Sequence, residues 1–514
     1  MASSYSPTYS IIQQPYAFNP INSPTWLVAY CTDNLVQNFE YIFNLYTYDR
    51  IYGTPSFIGQ YNIPPRPNGQ GWFDIHRILK SLLVTDFGFT MSTIMSSTSS
   101  MIPVTDNGCL TQFNVIYGYT EYLGLTFTST GATGTGGSFS INLGTGITAS
   151  YYFQPADVIV LQMAGTSPNQ IYNGTQIIYG VTGTSININN PYSGTDDTGG
   201  NVGQIVSIQR ALSMTNISYG LNSSRQYFDP NNSTFQNPSG LYDLYDNNNL
   251  FFVSATNSNM VNNFLTNWNL PDSGYYKTIY PLQYETVNVL SYTMSYYMTV
   301  NTYDNNLNLL NTYVLPTQTT GNNDYKLYTI GIGTANLQGL NGITLPSTGY
   351  YTVTLSATQS GTYSNTAIVR RQIINNCSAF NNVRIMFLNQ FGGWDYWNFN
   401  YESKITTNIT RTTFNRTLSY NYNIGDRGVS TLTTDAADQV LINTDILTDY
   451  EYSYLKELLY SPSVFVIDEI RMLKLPINIT DSQWIQKSRN YRDNASVQLS
   501  LTYQYSYNIS TQQN

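Results

Sequence analysis

The chain has 514 residues, only 10% of them Asp, Glu, Lys or Arg, against about 25% in an average globular protein. A net charge of -9, thinly spread, leaves no basic face for nucleic acid, and 41% hydrophobic content excludes a disordered chain. One His, and three Cys (Cys31, Cys109, Cys377) without CxxC or Cys/His spacing, argue against a histidine nucleophile, a zinc centre or a disulfide framework.

Asn, Ser, Thr, Gln and 47 Tyr stand where charge is missing, and the basic residues divide into 14 Arg and 7 Lys. Protein interfaces are enriched in Tyr, Trp and Arg and depleted in Lys and Glu, so this composition points to a surface made to be covered in a permanent assembly. Drift in an AT-rich genome would also raise Asn, Tyr and Ile, but it would raise Lys as well, and Lys is scarce.

The first fifteen residues lack the basic and apolar regions of a secretory signal, and no stretch approaches ~18 uninterrupted apolar residues. A product made in the cytoplasm, without a membrane span, is expected. Thr25–Cys31 and Asn38–Tyr48 are aromatic and β-branched, the second alternating Phe39, Tyr41, Phe43 and Leu45 against Glu40 and Asn44. This predicts a half-buried antiparallel pair. After a turn-rich stretch at 64–71, Asp74 stands as N-cap of a helix whose Ile75, Ile78, Leu79, Leu82 and Leu83 form an apolar stripe that would close one end of a sandwich. From Thr126 to Gly146 Gly, Thr and Ser dominate, with Gly134-Thr135-Gly136-Gly137 as linker, and short strands follow around Asp157–Leu161 and Gln176–Tyr179. Residues 126–210 read as an inserted small β domain, and the Asn-rich passage 226–249 as a long return loop.

Between Tyr275 and Ile374, strands at Val287–Val300, Asn311–Leu315, Leu327–Ile332 and Gly349–Ala357 have the spacing of a sandwich, with Tyr292, Met294, Tyr296 and Met298 on one face of the first. Further on, Thr448-Asp449-Tyr450-Glu451 makes a capping box ahead of Leu455, Leu458 and Leu459, Ser461-Pro462 stops that helix, and Val464–Ile470 and Ala495–Ile509 read as strands. The fold class is mainly β: several immunoglobulin-like or β-sandwich domains with few short helices, divided as 1–125 plus 211–274, 126–210, 275–374 and 375–514.

The densest local signal is Arg384–Phe399, a strand entering a Gly-Gly turn and leaving through aromatics. Trp394, Tyr396 and Trp397 could stack on sugar rings, with Asp395 bonding hydroxyls, or fill a core and an intersubunit seam; their strand spacing favours the second. Arg384, Arg411 and Arg416, with Arg370-Arg371 and Arg427, gather in the last third and suit interfacial Arg–carboxylate pairs or a solvated face. His76, beside Arg77, belongs to the solvent face of its helix, and no GxSxG elbow accompanies it. Asp157, Asp243, Asp246, Asp395 and Glu402 lie near aromatics, as paired carboxylates of a glycan-cleaving site would, but 30 acids in a β protein make such neighbours common. Asp196–Asn201 offers oxygen ligands yet reads as a plain turn. No catalytic residue, metal site or cofactor is expected.

Five segments carry a resemblance: Ile11-Ile12-Gln13-Gln14-Pro15-Tyr16, Asn38-Phe39-Glu40-Tyr41-Ile42, Gly71-Trp72-Phe73-Asp74-Ile75, the run from Phe387 to Phe399, and Ile479-Thr480-Asp481-Ser482. Together they resemble virion structural proteins of tailed bacteriophages, most like those of crAss-like and other Bacteroidota-infecting phages. The resemblance covers both ends and the C-terminal third. It implies a tail, collar or fibre component in many copies, located in the virion after synthesis in the host cytoplasm. Its partners would be further copies of itself and other virion proteins; a host surface glycan, bound by an adhesin, and a capsid shell or vertex role are the alternatives.

Overall fold

Alternation of β-branched and aromatic residues makes mostly antiparallel sheet the dominant structure of the described residues, and the computed structural model bears out a mainly β protein with few short helices. It describes residues 9–15, 18–32, 38–48, 54–83, 102–103, 110–128, 131–135, 138–144, 146–163, 173–188, 202–222, 265–266, 276–291, 297–316, 326–339, 343–356, 367–374, 380–480, 499–505 and 509–511. The passage 226–249, the turn at 196–201, Cys109, Cys377, Asp243, Asp246, Tyr292, Met294 and Tyr296 lie outside them. The described residues form two compact units, one within Met1–Leu82 and Thr111–Gly220, the other within Leu83–Leu110, Leu221–Pro230 and Tyr242–Asn514.

In the first unit, Trp26–Cys31 lies between Tyr9–Gln13 and Gln70–Asp74 in a three-stranded sheet, whereas Glu40–Tyr48 joins an eleven-stranded sheet between Pro55–Ile63 and Leu110–Thr128. The two segments expected to pair with each other therefore belong to different sheets. What joins them is side-chain packing. The fully buried Tyr41 donates its hydroxyl to the Gly69 carbonyl at 2.6 Å and accepts the Cys31 amide at 2.9 Å, while Phe43 stacks on Phe73 with centroids 5.1 Å apart. Strand periodicity told which residues face inward, and an inward face can meet a facing sheet as well as a neighbouring strand.

The helix is His76–Leu82; Ile75, Leu79 and Leu83 are buried, and Leu82 points to solvent. Val202–Met214 pairs along its whole length with Ile116–Thr128 of Leu110–Thr128, so the places expected as domain boundaries, 126 and 210, fall inside continuous strands. Beyond them the sheet continues through Val158–Met163, Gly174–Thr182, Ser185–Ile188, Ser138–Asn142 and Gly131–Thr135 around its own core of Phe127, Ile141, Ile159, Leu161, Ile178 and Ile186. Of the glycine run expected as linker, Gly134 and Thr135 belong to a strand of this sheet, Gly131–Thr135, paired in register with Ser138–Asn142, and Gly136 and Gly137 lie outside the described residues.

In the second unit, a five-stranded sheet (Lys277–Ile279, Ala367–Ile373, Gly349–Ser356, Tyr297–Tyr303, Leu309–Pro316) faces a three-stranded one (Thr286–Ser291, Lys326–Gly331, Ile102–Pro103). Val289, Val300, Val353 and Val369 are sealed between them. The single strand expected over Val287–Val300 is thus two strands, Thr286–Ser291 and Tyr297–Tyr303, one in each facing sheet. An eight-stranded sheet follows, ordered Trp394–Phe399, Val383–Leu388, Val464–Asp468, Leu473–Ile479, Ser500–Tyr505, Val429–Asn443 and Lys404–Asn415, with Ile509–Thr511 on Val429–Asn443. The helix Asp449–Tyr460 starts at the expected capping box, Thr448 receiving the Glu451 amide and Glu451 the Thr448 amide, and lays Leu455 and Leu458 on this sheet.

Gly71 tests the inter-sheet packing of the first unit, because a Cβ there would run into the Tyr41 ring. Gly71→Ala is expected to cost about 1–3 kcal/mol in urea unfolding, as overpacked cores do. Gly425→Ala, whose Cβ would meet nothing within 4 Å, should stay within about 0.5 kcal/mol.

Candidate assembly surface

The strands Lys404–Asn415 and Val429–Asn443 form a long antiparallel ribbon, and only its base is rooted in the core. Seven of the twelve residues in Lys404–Asn415 are Ile or Thr, which suits extended backbone, and every one of the twelve is exposed. In the partner strand burial is confined to Val440 and Ile442, which belong to the C-terminal core. Register runs from Lys404 opposite Leu441 to Asn415 opposite Val429, with Leu432 as the extra residue of a bulge. Ser500–Tyr505 and Ile509–Thr511 occupy the outer edge of Val429–Asn443, whereas Lys404–Asn415 pairs on one side only among the described residues.

The loop joining the two strands is closed by the Arg416 amide on the Gly428 carbonyl at 2.8 Å and by a turn in which Asp426 accepts the Asn423 amide at 2.8 Å. At its tip Tyr420 and Ile424 are fully exposed, and Tyr422 is exposed beside them. Isolated apolar side chains on a surface are ordinary, but three at one loop tip, with Ile405, Ile409 and Phe414 exposed along the ribbon, make an amphipathic surface without a covering layer. Arg411, Arg416 and Arg427 all lie exposed on this arm.

Arg384, the third arginine singled out by sequence, lies elsewhere, in the interior of the same unit. Its guanidinium donates to the Tyr284 carbonyl at 2.9 Å, to Glu285 Oε2 at 3.3 Å and to the Gln283 amide oxygen, with Glu469 Oε1 3.6 Å from Nε. The other Glu285 oxygen takes Arg371 Nη2 at 2.7 Å, Arg371 Nε at 3.2 Å and Lys277 Nζ at 3.3 Å. All four side chains are 3% exposed or less. Burial alone would raise the Glu285 pKa, but Arg371, Lys277 and Arg384 together hold it well below the carboxylate range, at about 2.

The aromatics whose strand spacing favoured a core over a sugar platform are buried beside this cluster: Trp394, Tyr396 and Trp397 are 2%, 1% and 6% exposed, so none offers a ring face to solvent. Tyr396 hydrogen-bonds Thr286 at 2.8 Å, Arg384 lies over its ring, and Trp397 packs on Tyr454. Asp395 is buried too, accepting Thr266 Oγ1 at 3.0 Å and Asn389 Nδ2 at 2.9 Å. Burial raises its pKa, against the pull of Lys277 and these hydrogen bonds. Glu457 accepts the Gln390 amide, and burial, with the charge of Asp395 added, pushes its carboxyl up to about 8.

Of the remaining carboxylates, Asp157 is buried in the first unit, raised to about 6 by burial while the Gln154 amide and Arg210 oppose that rise, and Glu402 is exposed. His76 is partly buried, its Nδ1 2.7 Å from Asp74 Oδ2. Among the described residues no cluster of three His, Cys, Asp or Glu could hold a metal, and no helix is long and apolar enough to cross a membrane. Sequence reading passed over Lys277, Glu285 and Glu457. A signal for the carboxylate was present in Arg371 and Arg384, since a cation set in an apolar strand such as Ala367–Ile373 or Val383–Leu388 needs an internal partner once buried.

Fold and surface define a mainly β protein of packed antiparallel sheets, with a ribbon-shaped arm rooted beside a buried ionic cluster. No protein-family model matches the chain, and no curated protein matches it.

Removing one member of a buried ionic set strands the others, so Glu285→Gln is expected to cost at least about 3 kcal/mol, read from the urea midpoint of the second unit. Arg411→Ala, on the exposed arm, should leave that midpoint within about 0.5 kcal/mol. Glu457 gives a pH signature. Its folded pKa of about 8 lies above the ordinary 4.5 of a glutamate in water, so between those pH values the folded state binds the proton more tightly than the unfolded one. Stability should therefore fall as pH rises from 4.5 to 8 and then level. Glu457→Gln should flatten this slope and leave the variant more stable than the parent at pH 9.

Proposed function

We propose that this protein is a structural component of a tailed-phage virion, in the tail, collar or fibre-anchoring region, acting by symmetric self-assembly and by docking to other virion proteins. The observation that carries this reading is the Lys404–Asn443 arm, which holds exposed Ile, Phe and Tyr side chains and three arginines away from the core. Arginine and tyrosine are residues on which interfaces anchor, and a ribbon exposed on both faces gains its packing from a neighbour. The charge-poor composition supports the same reading, as does the resemblance of the terminal and C-terminal segments to virion proteins. A glycan-binding adhesin draws no support from Trp394 or Trp397, because both rings are committed to the interior.

Two measurements test it. Quantitative mass spectrometry of purified particles should find the chain in many copies, and a copy number near zero would end the virion reading. Light scattering of the purified chain at micromolar concentration should give an oligomer, and the double variant Tyr420→Ser/Ile424→Ser should weaken any association made through the loop tip.

A further inference from the structure

The outer side of Lys404–Asn415 is a row of main-chain donors and acceptors with no strand against it among the described residues. Proteins usually blunt such an edge with proline, inward-facing charge or a very short strand. This one runs for twelve residues, has no proline, and places its extra bulge residue, Leu432, on the inner strand, so its own backbone continues without interruption. Its two charges, Lys404 and Arg411, are both positive and seven residues apart. An edge so rich in Ile and Thr, and so little protected, is built to receive a strand.

We propose that the Lys404–Asn415 edge pairs antiparallel with the same strand of a second copy of this chain, about a twofold axis passing beside Ile409. This rests on the self-assembly reading above and specifies its contact. A twofold axis normal to a sheet keeps equivalent faces on the same side, so residues that oppose one another share parity along the strand. With Ile409 opposite Ile409, the pairs on that face are Thr407 with Arg411 and Ile405 with Thr413. On the other face they are Thr406 with Thr412, Asn408 with Thr410, and Lys404 with Phe414. No cation opposes a cation, Thr meets Thr, and Lys404 faces an aromatic ring, all favourable cross-strand combinations. Centring on Asn408 would leave Thr413, Phe414 and Asn415 unpaired, against Asn415 alone in the Ile409 register, and centring on Thr410 would put Thr410 at the axis and Ile409 opposite Arg411. The Ile409 register alone brings apolar side chains together at the axis. The ladder supplies about ten main-chain hydrogen bonds, as many as a whole interface of ordinary size carries.

Cysteine cross-linking of the full chain tests both partner and register. Directly opposed residues have Cα atoms about 4.5–5.5 Å apart, within disulfide reach. Ile409→Cys should give a reducible covalent dimer under mild oxidation, at twice the 57.9 kDa of the chain. Thr406→Cys and Thr412→Cys should each stay monomeric under denaturing, non-reducing conditions and cross-link when mixed, with the parent chain as control for the native cysteines. Ile409→Lys, which sets two like charges at the axis, should weaken association by roughly tenfold or more, read by sedimentation, without moving the urea midpoint. No dimer from Ile409→Cys, or equal dimer from Thr406→Cys alone, overturns the register. Cross-linking of Ile409→Cys to a different protein in particles overturns the second copy as occupant. Either result leaves the virion reading standing if the chain is abundant in particles, and that reading fails separately if it is absent from them.

Discussion

A carboxylate that faces three cations out of reach of water holds those four side chains to one arrangement. Lys277 and Arg371 come from the five-stranded sheet, Glu285 precedes the first strand of the three-stranded sheet, and Arg384 belongs to the eight-stranded sheet. Apolar faces could slide past one another at modest cost, but these groups cannot move by one residue without leaving a charge unpaired in a medium of low dielectric. The neighbouring amides tighten the constraint: Gln283 bonds Asn398 across the junction at 3.0 Å, and Asn336 receives the Glu285 amide at 2.9 Å. What such a cluster secures is register between sheets more than net stability, since a well-packed apolar set of the same volume could match its energy.

The arm depends on that register. Val440 and Ile442 anchor Val429–Asn443 in the core beneath Asp449–Tyr460, and everything beyond them along the ribbon is carried by main-chain pairing and cross-strand contacts such as Thr407 Oγ1 on Asp438 at 2.7 Å. A two-stranded ribbon is marginal alone in water, so the direction of the arm is only as well fixed as its root. The tight turn that brings Trp394–Phe399 back beside Val383–Leu388 belongs to the same root. Gly392 takes a φ of 82°, and Gly393 lies so close under the Leu265 carbonyl that a side chain would collide with it.

Local signals in the sequence carried over closely where the physics is local. The capping box at Thr448 and Glu451 needs four consecutive residues, and the period-two pattern of Glu40–Tyr48 needs only the pleat; both appear in the structure as read. Partner choice is different. Trp26–Cys31 and Glu40–Tyr48 both read as half-buried strands, and nothing within either states that one pairs with Gln70–Asp74 and the other with Leu110–Thr128. The break between Thr286–Ser291 and Tyr297–Tyr303 was hidden for the same reason, because both pieces alternate and both are buried, in facing sheets. Arg384 and Arg411 looked alike as arginines in β segments. Their opposite fates follow from neighbours, Ile385–Leu388 in one case and Thr410–Thr413 in the other: an apolar run draws its arginine inside, while a threonine run leaves it in water.

Charge is scarce in this chain, and part of it is spent where it cannot solubilise. Glu121, Asp157, Arg210, Lys277, Glu285, Arg371, Arg384, Asp395 and Glu457 are all buried among the described residues, although Lys, Arg, Asp and Glu are rarely buried at all unless paired. Those nine charges contribute nothing to the solubility of a chain in which only 10% of residues are charged. A monomer relying on repulsion between charged surfaces would be poorly served by this allocation. Hydroxyl and amide groups wet a surface while costing less to dehydrate than ions, so a surface of Asn, Thr, Ser and Tyr can be covered by protein without stranding charges. Buried ions holding sheets in register and uncharged polar groups outside are thus two halves of one arrangement: the fold is made specific from within, and its outer face, the Lys404–Asn415 edge above all, is left cheap to cover.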